Sequence, residues 1–409
     1  MFNGLKYVKL GLVILVYVLA FPFGYHKNID VIDGYTNKLS VLKGDSITVY
    51  MNCKEKNRRG QFILYDILGN AIDSIITTCD TKKHSDNNAF DYKPTFCYYT
   101  GKLKSGVYAW NKSAPFIVSD VLPCDITIVF PSLNNMANNE LNKNNSLQTI
   151  NIQSAADNID SYFINFLNWF KNNEKQHTVN FISDADLEDY SKFKNTKVLI
   201  FASNYLFWTK PMKQNFDKYI QSGKNALIIS STFMVNEFSF NIKQWQITLE
   251  RTQEGASSPI NTFNSKTNKN YNSVGCSYEN HISKLPIYNN NHFMTVQNNN
   301  HKIFTGLSQK KYEIIAYSGS CPPLKSIDEM GIPLYDFALL QQGILTCLAF
   351  GYRSIYEQQS IWGIYEFKQS TSSGKIINIG LADWFNNINL KKKYVSDITK
   401  NCIEYLNEK

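Results

Sequence analysis

The sequence predicts an N-terminal antiparallel β-sandwich followed by a doubly wound, mostly parallel α/β domain. Residues 29–121 run as short alternating apolar stretches broken by turns, the pattern of an antiparallel sandwich. Residues 197–231 read as strand, helix, strand, with apolar runs at 198–202 and 226–230 that are too short for helices and suit buried parallel strands. From Ile126 to the C-terminus, strand-like and helix-like stretches alternate, as they do in α/β proteins.

Lys6 and Lys9 precede the apolar run 10–23, which has the length of a signal-peptide core and is short for a membrane span. Residues 1–24 are therefore expected to direct export. Phe21, Pro22 and Phe23 stand where a cleavage site would need small residues, so an uncleaved N-terminal anchor is the alternative. In the sandwich, Ile47, Val49 and Met51 share one face of a strand, Gly69 and Asn70 form a turn, and runs at 104–110 and 115–118 close the series. Asp80, His84 and Asp91 are loosely spaced among Lys and Asn and read as a solvated loop.

The second domain is expected over 124–409. Residues 126–130 read as a buried strand, and 131–148 as a polar loop too rich in Asn to pack. Tyr162, Phe163, Phe166, Leu167 and Phe170 fall on one side of a helix over 160–170. The strand at 178–182 ends at Asp184 and Asp186, which read as caps for the turn around Leu187. Met212, Phe216, Tyr219 and Ile220 make the apolar stripe of the next helix, with Thr209 placed as its cap, Pro211 in its first turn and Gly223 at its end. Residues 375–380 give the last parallel strand, and 394–406 a closing helix with Ile398, Cys402 and Tyr405 on its inner face. Between them, 252–272 read as a surface loop, and runs at 312–317, 345–352 and 364–369 as strands of an antiparallel edge.

The net charge of +8 comes from 42 basic and 34 acidic residues spread along the whole chain, with no basic block interleaved with aromatics, which argues against a nucleic-acid partner. None of the eight cysteines forms a CxxC pair, so zinc spacing is missing. Four lie in each half, and in an exported chain they are expected either to pair within the halves or to stay as buried thiols. Asn111 and Asn144 fit the glycosylation pattern. Phosphate loops, dinucleotide fingerprints, HExxH and nucleophile elbows are all missing.

The order of the parts resembles a known family. A sandwich ending in Ser105-Gly-Val-Tyr and Pro115-Phe-Ile-Val leads into Ile128-Val-Phe-Pro-Ser, a helix ending near Trp169, and the turn Phe181-Ile-Ser-Asp-Ala-Asp-Leu. Then come Phe207-Trp208, His301-Lys-Ile-Phe-Thr-Gly, and Gly374-Lys-Ile-Ile-Asn-Ile-Gly-Leu-Ala-Asp-Trp. Together these are similar to the large subunit of N,N-dimethylformamidase, whose second domain is class I glutamine amidotransferase-like. The resemblance implies a mononuclear iron held by two tyrosines and a glutamate, with metal-activated water attacking a small amide. The first tyrosine's position falls on Phe207, in Ser203-Asn-Tyr-Leu-Phe-Trp, and the second falls in Ser231-Thr-Phe-Met-Val-Asn, which has no tyrosine. Tyr205 can stand in for the first only if the strand end is bulged.

Two functions follow as expectations. One is a non-catalytic binding or structural protein on this scaffold, without the family's iron. The other is a metal-dependent hydrolase of a small amide or similar bond with a rearranged site around Tyr205, Glu279 and His281, in which Glu279 and His281, the close pair of Cys276-Ser-Tyr-Glu-Asn-His, supply a metal ligand and a proton-transfer group. In either case a pocket is expected beyond the carboxyl ends of the strands, lined by Asn204, Tyr205, Trp208, Asp383 and Trp384. The expected partner is a small molecule or a glycan, and a membrane only through the N-terminal segment.

Overall fold

A computed structural model describes residues 29–81, 92–120, 123–143, 149–151, 160–230, 233–241, 246–249, 292–314, 345–355 and 358–408. The first part is a two-layer β-structure. One sheet contains β1 (Val31–Thr36), β3 (Ser46–Cys53) and β6 (Phe96–Tyr99) in the order β1-β3-β6. The other contains β2 (Ser40–Leu42), β4 (Arg58–Asp66), β5 (Ala71–Cys79), β7 (Gly106–Trp110) and β8 (Ala114–Ser119) in the order β2-β8-β7-β4-β5. All pairs are antiparallel except β2 with β8, which run parallel. Period-two alternation puts Ile47, Val49, Met51, Phe62, Leu64 and Trp110 into one shared core between the layers.

The second part is built on a nine-stranded sheet. Its parallel portion comprises β9 (Cys124–Phe130), β11 (Val179–Ser183), β12 (Thr196–Phe201), β14 (Asn225–Ile229) and β21 (Ile376–Ile379), in the order β11-β9-β12-β14-β21. Counted along the chain this is 2-1-3-4-5, a doubly wound order. Beyond β21 the sheet continues antiparallel through β20 (Gln358–Phe367), β19 (Leu345–Ile355), β17 (His292–Val296) and β18 (Lys311–Ile314). The expected antiparallel edge is therefore present, with residues 315–317 of the run read at 312–317 outside the described residues.

Among the described residues four helices cover the two faces: α1 (Ser132–Lys143), α2 (Ser161–Asn173), α3 (Lys210–Gln221) and α4 (Lys393–Asn407). Successive strand residues go to opposite layers. Val198 and Ile200 join Phe163, Phe166, Val395 and Ile398 on one face, while Leu199 and Phe201 join Leu133, Met136, Met212 and Phe216 on the other. Helix α3 starts and stops as its sequence predicts, with Thr209 Oγ1 accepting from Met212 N at 3.3 Å and Gly223 at φ +84° just past its end.

Residues 131–148, expected as a polar loop, are helical from Ser132 to Lys143, with Leu133, Met136 and Ala137 buried. The asparagines that suggested a loop include Asn134 and Asn135, which are themselves buried at the helix start, so their polarity did not mean exposure. The loop expected at 252–272, together with Cys276, Pro322 and Pro323, His84 and Asp91, lies outside the described residues, as does the N-terminal segment 1–28. Among the described residues no helix is long and apolar enough to cross a membrane.

Side-chain hydrogen bonds tie the sandwich to the α/β part. Ser105 Oγ donates to Asn180 Oδ1 at 2.8 Å and accepts from Phe181 N at 2.9 Å, while Asn180 also accepts from Asp120 N and donates to Asp120 O. These bonds, with Val107 and Ile117 buried in the α/β core, dock the sandwich on the β11 side of the large sheet. Within the sandwich Cys53 and Cys79 form a disulfide. The first four do not all pair, since Cys97 and Cys124 are free thiols; of the second four, Cys402 is buried as a small hydrophobe in the closing helix, and Cys276 and Cys321 lie outside the described residues. Because the bridge closes a chain separation of 26 residues, the double variant Cys53→Ala/Cys79→Ala should lose about 2–4 kcal/mol of sandwich stability in denaturant unfolding, and reductant should leave the variant unaffected.

Candidate functional site

In a sheet of this order the switch point lies between β9 and β12, and ligands bind beyond the strand ends there. Helix α1 begins directly after β9, so its first amides face that spot, which suits an anion. The chain fills the spot with its own carboxylate. Asp184 Oδ1 accepts from Leu133 N at 2.9 Å, and Oδ2 accepts from Asn134 N and Asn134 Nδ2, both at 3.0 Å. Burial pushes the Asp184 carboxyl up, and these bonds, with the Ser183 hydroxyl, hold the rise back. Asp184 was expected to cap the turn around Leu187; its Oδ1 accepts from Ala185 N of that turn at 3.0 Å but it also caps α1, and Asp186 closes the turn by accepting from Ser183 N at 2.8 Å.

Two strands leave the ends of β12 and β14 and pair in parallel over the crevice: β13 (Tyr205–Trp208) and β15 (Phe233–Asn241). They continue into β16 (Gln246–Leu249) and β10 (Thr149–Asn151) as a four-stranded sheet. Asn134 locks β13 in place, accepting from Phe207 N at 2.7 Å and donating to Phe207 O at 3.0 Å. The pairing is bulged between Tyr205 and Phe207. The bulge does not turn Tyr205 toward a ligand, because its hydroxyl donates to Val129 O at 2.5 Å and the whole residue is buried. Burial, with the nearby Asp184 carboxylate second, pushes its phenol far up.

The residues expected to line the pocket are therefore mostly core. Trp208 Nε1 donates to Tyr205 O at 2.8 Å, and its ring packs on Phe201, Phe216 and Phe233. Trp384 Nε1 donates to Thr399 Oγ1 at 2.9 Å inside the α4 interface. Asp383 is buried as well, its carbonyl accepting from Asn389 Nδ2 at 2.9 Å. Asn204 alone of the group stays partly exposed, and its Oδ1 accepts from the Ser230 hydroxyl at 3.5 Å. Glu279 and His281 lie outside the described residues.

An iron held as in the resembling family does not fit these side chains. Phe207 has no donor atom and is buried against Phe238, Tyr205 spends its hydroxyl on a carbonyl, and 233–236 contains no tyrosine. Among the described residues no three His, Cys, Asp or Glu side chains converge as metal ligands.

Sequence reasoning missed Asp160 and Ser203. Asp160 caps α2, accepting from Tyr162 N at 2.9 Å and from Ser203 Oγ at 2.7 Å. Burial pushes its carboxyl up, the two hydrogen bonds oppose this, and the charge of Asp383 adds to the rise. An Asp one residue before an aromatic helix was legible as a cap, but its approach to a residue 223 positions later was not. At the other end of β21 lies a second cluster. Glu366 Oε2 meets His301 Nε2 at 3.1 Å and accepts from Tyr405 OH at 2.8 Å, with Lys375 Nζ 3.9 Å from the Tyr405 ring centroid. Burial alone would raise the Glu366 carboxyl, but the bonds from His301 and Tyr405 outweigh it and hold it below its usual range.

No protein-family model matches the chain. No curated protein matches it either. Among solved structures, a putative ThuA-like protein from Parabacteroides merdae is similar over 70% of this chain and 90% of its own, at 12% identity and TM-score 0.34. A cytoplasmic protein from Salmonella typhimurium is similar over 59% of this chain and 85% of its own, at 8% identity and TM-score 0.32. A beta-galactosidase from Bacillus circulans sp. alkalophilus is similar over 66% of this chain, which spans only 31% of that enzyme, at 12% identity and TM-score 0.33. The strand order, not these distant likenesses, defines the fold.

The two carboxyl shifts give opposite pH signatures. The raised Asp160 favours the protonated form in the folded state, so its contribution is full below the ordinary carboxylate range and is lost as pH rises through its folded pKa. Asp160→Asn should therefore gain stability relative to the native chain as pH rises from 4 to 7, read by denaturant midpoints at each pH. The depressed Glu366 contributes above the ordinary range and loses that contribution as pH falls through its folded pKa. Glu366→Gln should be the less stable form at neutral pH and approach the native chain in acid.

Proposed function

We propose that the chain is an exported, dimethylformamidase-like protein that binds a partner and does not catalyse amide hydrolysis. One observation carries the reading: the polar groups at the switch point are spent on the fold itself. Asp184 satisfies the first amides of α1, and the Tyr205 hydroxyl satisfies Val129 O. To bind a metal the phenol would have to give up its hydrogen bond to a buried carbonyl, at about 1 kcal/mol. The disulfide of the sandwich fits an oxidising compartment. The amidotransferase-like label for the second domain is part of the same proposal.

The competing reading, a hydrolase with a rearranged site, draws support from the raised Asp160 carboxyl near Asp383 at the strand ends, since such a group is a better proton acceptor toward neutral pH. The two separate in one experiment on the purified full chain. Elemental analysis after growth with iron should find far less than one metal per chain, dimethylformamide and formamide should go unhydrolysed, and Tyr205→Phe should cost about 1–3 kcal/mol of stability only. Stoichiometric iron that Tyr205→Phe removes, or amide hydrolysis that Glu279→Gln or His281→Asn abolishes, would overturn the proposal.

A further inference from the structure

The sandwich has a cleft of its own, remote from the sheet crevice, with a volume of 220 Å³. Its floor is Met51 and the half-cystine Cys79, both buried, so the disulfide braces the base. Tyr92 contributes an aromatic ring whose position is set from behind. Its hydroxyl donates to Asp33 Oδ1 at 2.8 Å and accepts from Asn52 Nδ2 at 3.4 Å, and the ring leans on Tyr35 at 5.5 Å between centroids. Tyr35 in turn stacks on Tyr50 at 4.7 Å with the rings 6° from parallel, so the tyrosine rests on a two-ring support carried by β1 and β3. Around it the rim presents Asn57, Thr78, Asp80, Lys93 and Thr95.

We propose that this cleft binds one ring of a neutral glycan. Three features select that chemistry. A pinned aromatic ring gives the C–H face of a sugar an apolar surface at little entropic cost. The rim side chains are an amide, two hydroxyls, one acid and one base, which together offer donors and acceptors for hydroxyl groups and no net charge to reward an ion. The volume falls below the roughly 300–1,000 Å³ of pockets that enclose drug-sized ligands, so a single ring with the rest of the chain in solvent suits it. The proposal stands apart from the reading of the crevice: iron there would leave it intact, and a missing sugar would leave that reading intact.

The test uses the full chain and saturation-transfer NMR with glucose, galactose, mannose and N-acetylglucosamine at millimolar concentration, with glycine and alanine as zwitterionic controls. At least one sugar should receive saturation. Tyr92→Ala should weaken it at least tenfold, and Asn57→Ala severalfold. Thr78→Trp, which fills the cleft from its exposed rim and removes nothing from the core, should abolish it in a chain whose unfolding midpoint is unchanged. Thr48→Ala, on β3 away from the cleft, should leave it as it was. Saturation of none of the four sugars, sugar binding that survives Thr78→Trp, or binding of the amino acids in preference would each overturn the proposal.

Discussion

The arrangement of the α/β domain depends on one buried knot, the side chains of Asp184 and Asn134. Asp184 leaves the end of β11 and closes over the first turn of α1, while Asn134, from that same turn, reaches β13 and pairs with both polar groups of the Phe207 backbone. Three elements far apart in sequence are thereby held by bonds in which every amide hydrogen of the Asn134 side chain has a partner. Such a network is demanding, because losing one member leaves buried polar groups unpaired. It also decides what the switch point can do, since the helix terminus that could have held a ligand's anionic group already holds the chain's own carboxyl group.

Aromatic packing completes the closure. Phe201, Tyr205, Trp208, Phe216 and Phe233 form a continuous set of edge and tilted contacts between β12, β13, α3 and β15. A residue such as Phe207 or Trp208, placed beyond a strand end, would be a site residue if its segment left the sheet as a loop. Here the segments continue as strands and pair with each other, so the same residues become core. The proposed loss of catalysis and the solidity of this region have one cause.

The sandwich behaves differently. Its tyrosines Tyr35, Tyr50 and Tyr92 stand on the outer side of β1 and β3, and their hydroxyl and ring contacts order them without burying them fully. A disulfide under the cleft replaces hydrophobic mass that a small two-layer unit lacks. The pinned ring and the polar rim of the proposed sugar cleft thus lie in the smaller layer, apart from the sheet crevice.

Local chemistry determined much of the architecture. The apolar runs around Ile200 and Leu227, the stripe from Met212 to Ile220 and the Thr209 and Gly223 ends of α3 specify their elements through period, capping and φ alone, and all stand where they were read. The alternation of Ile47, Val49 and Met51 did the same for the sandwich. Only tertiary structure decided the rest. Asn134 looks solvated in an Asn-rich stretch and is buried because Asp184, 50 positions away, and Phe207 satisfy it. Tyr205 looks like a free phenol and is not, because its buried hydroxyl donates to Val129 O. Hydrogen-bond partners across a sheet are chosen by strand order and register, which no local pattern encodes, so the elements could be read from the chain while the fate of the site could not.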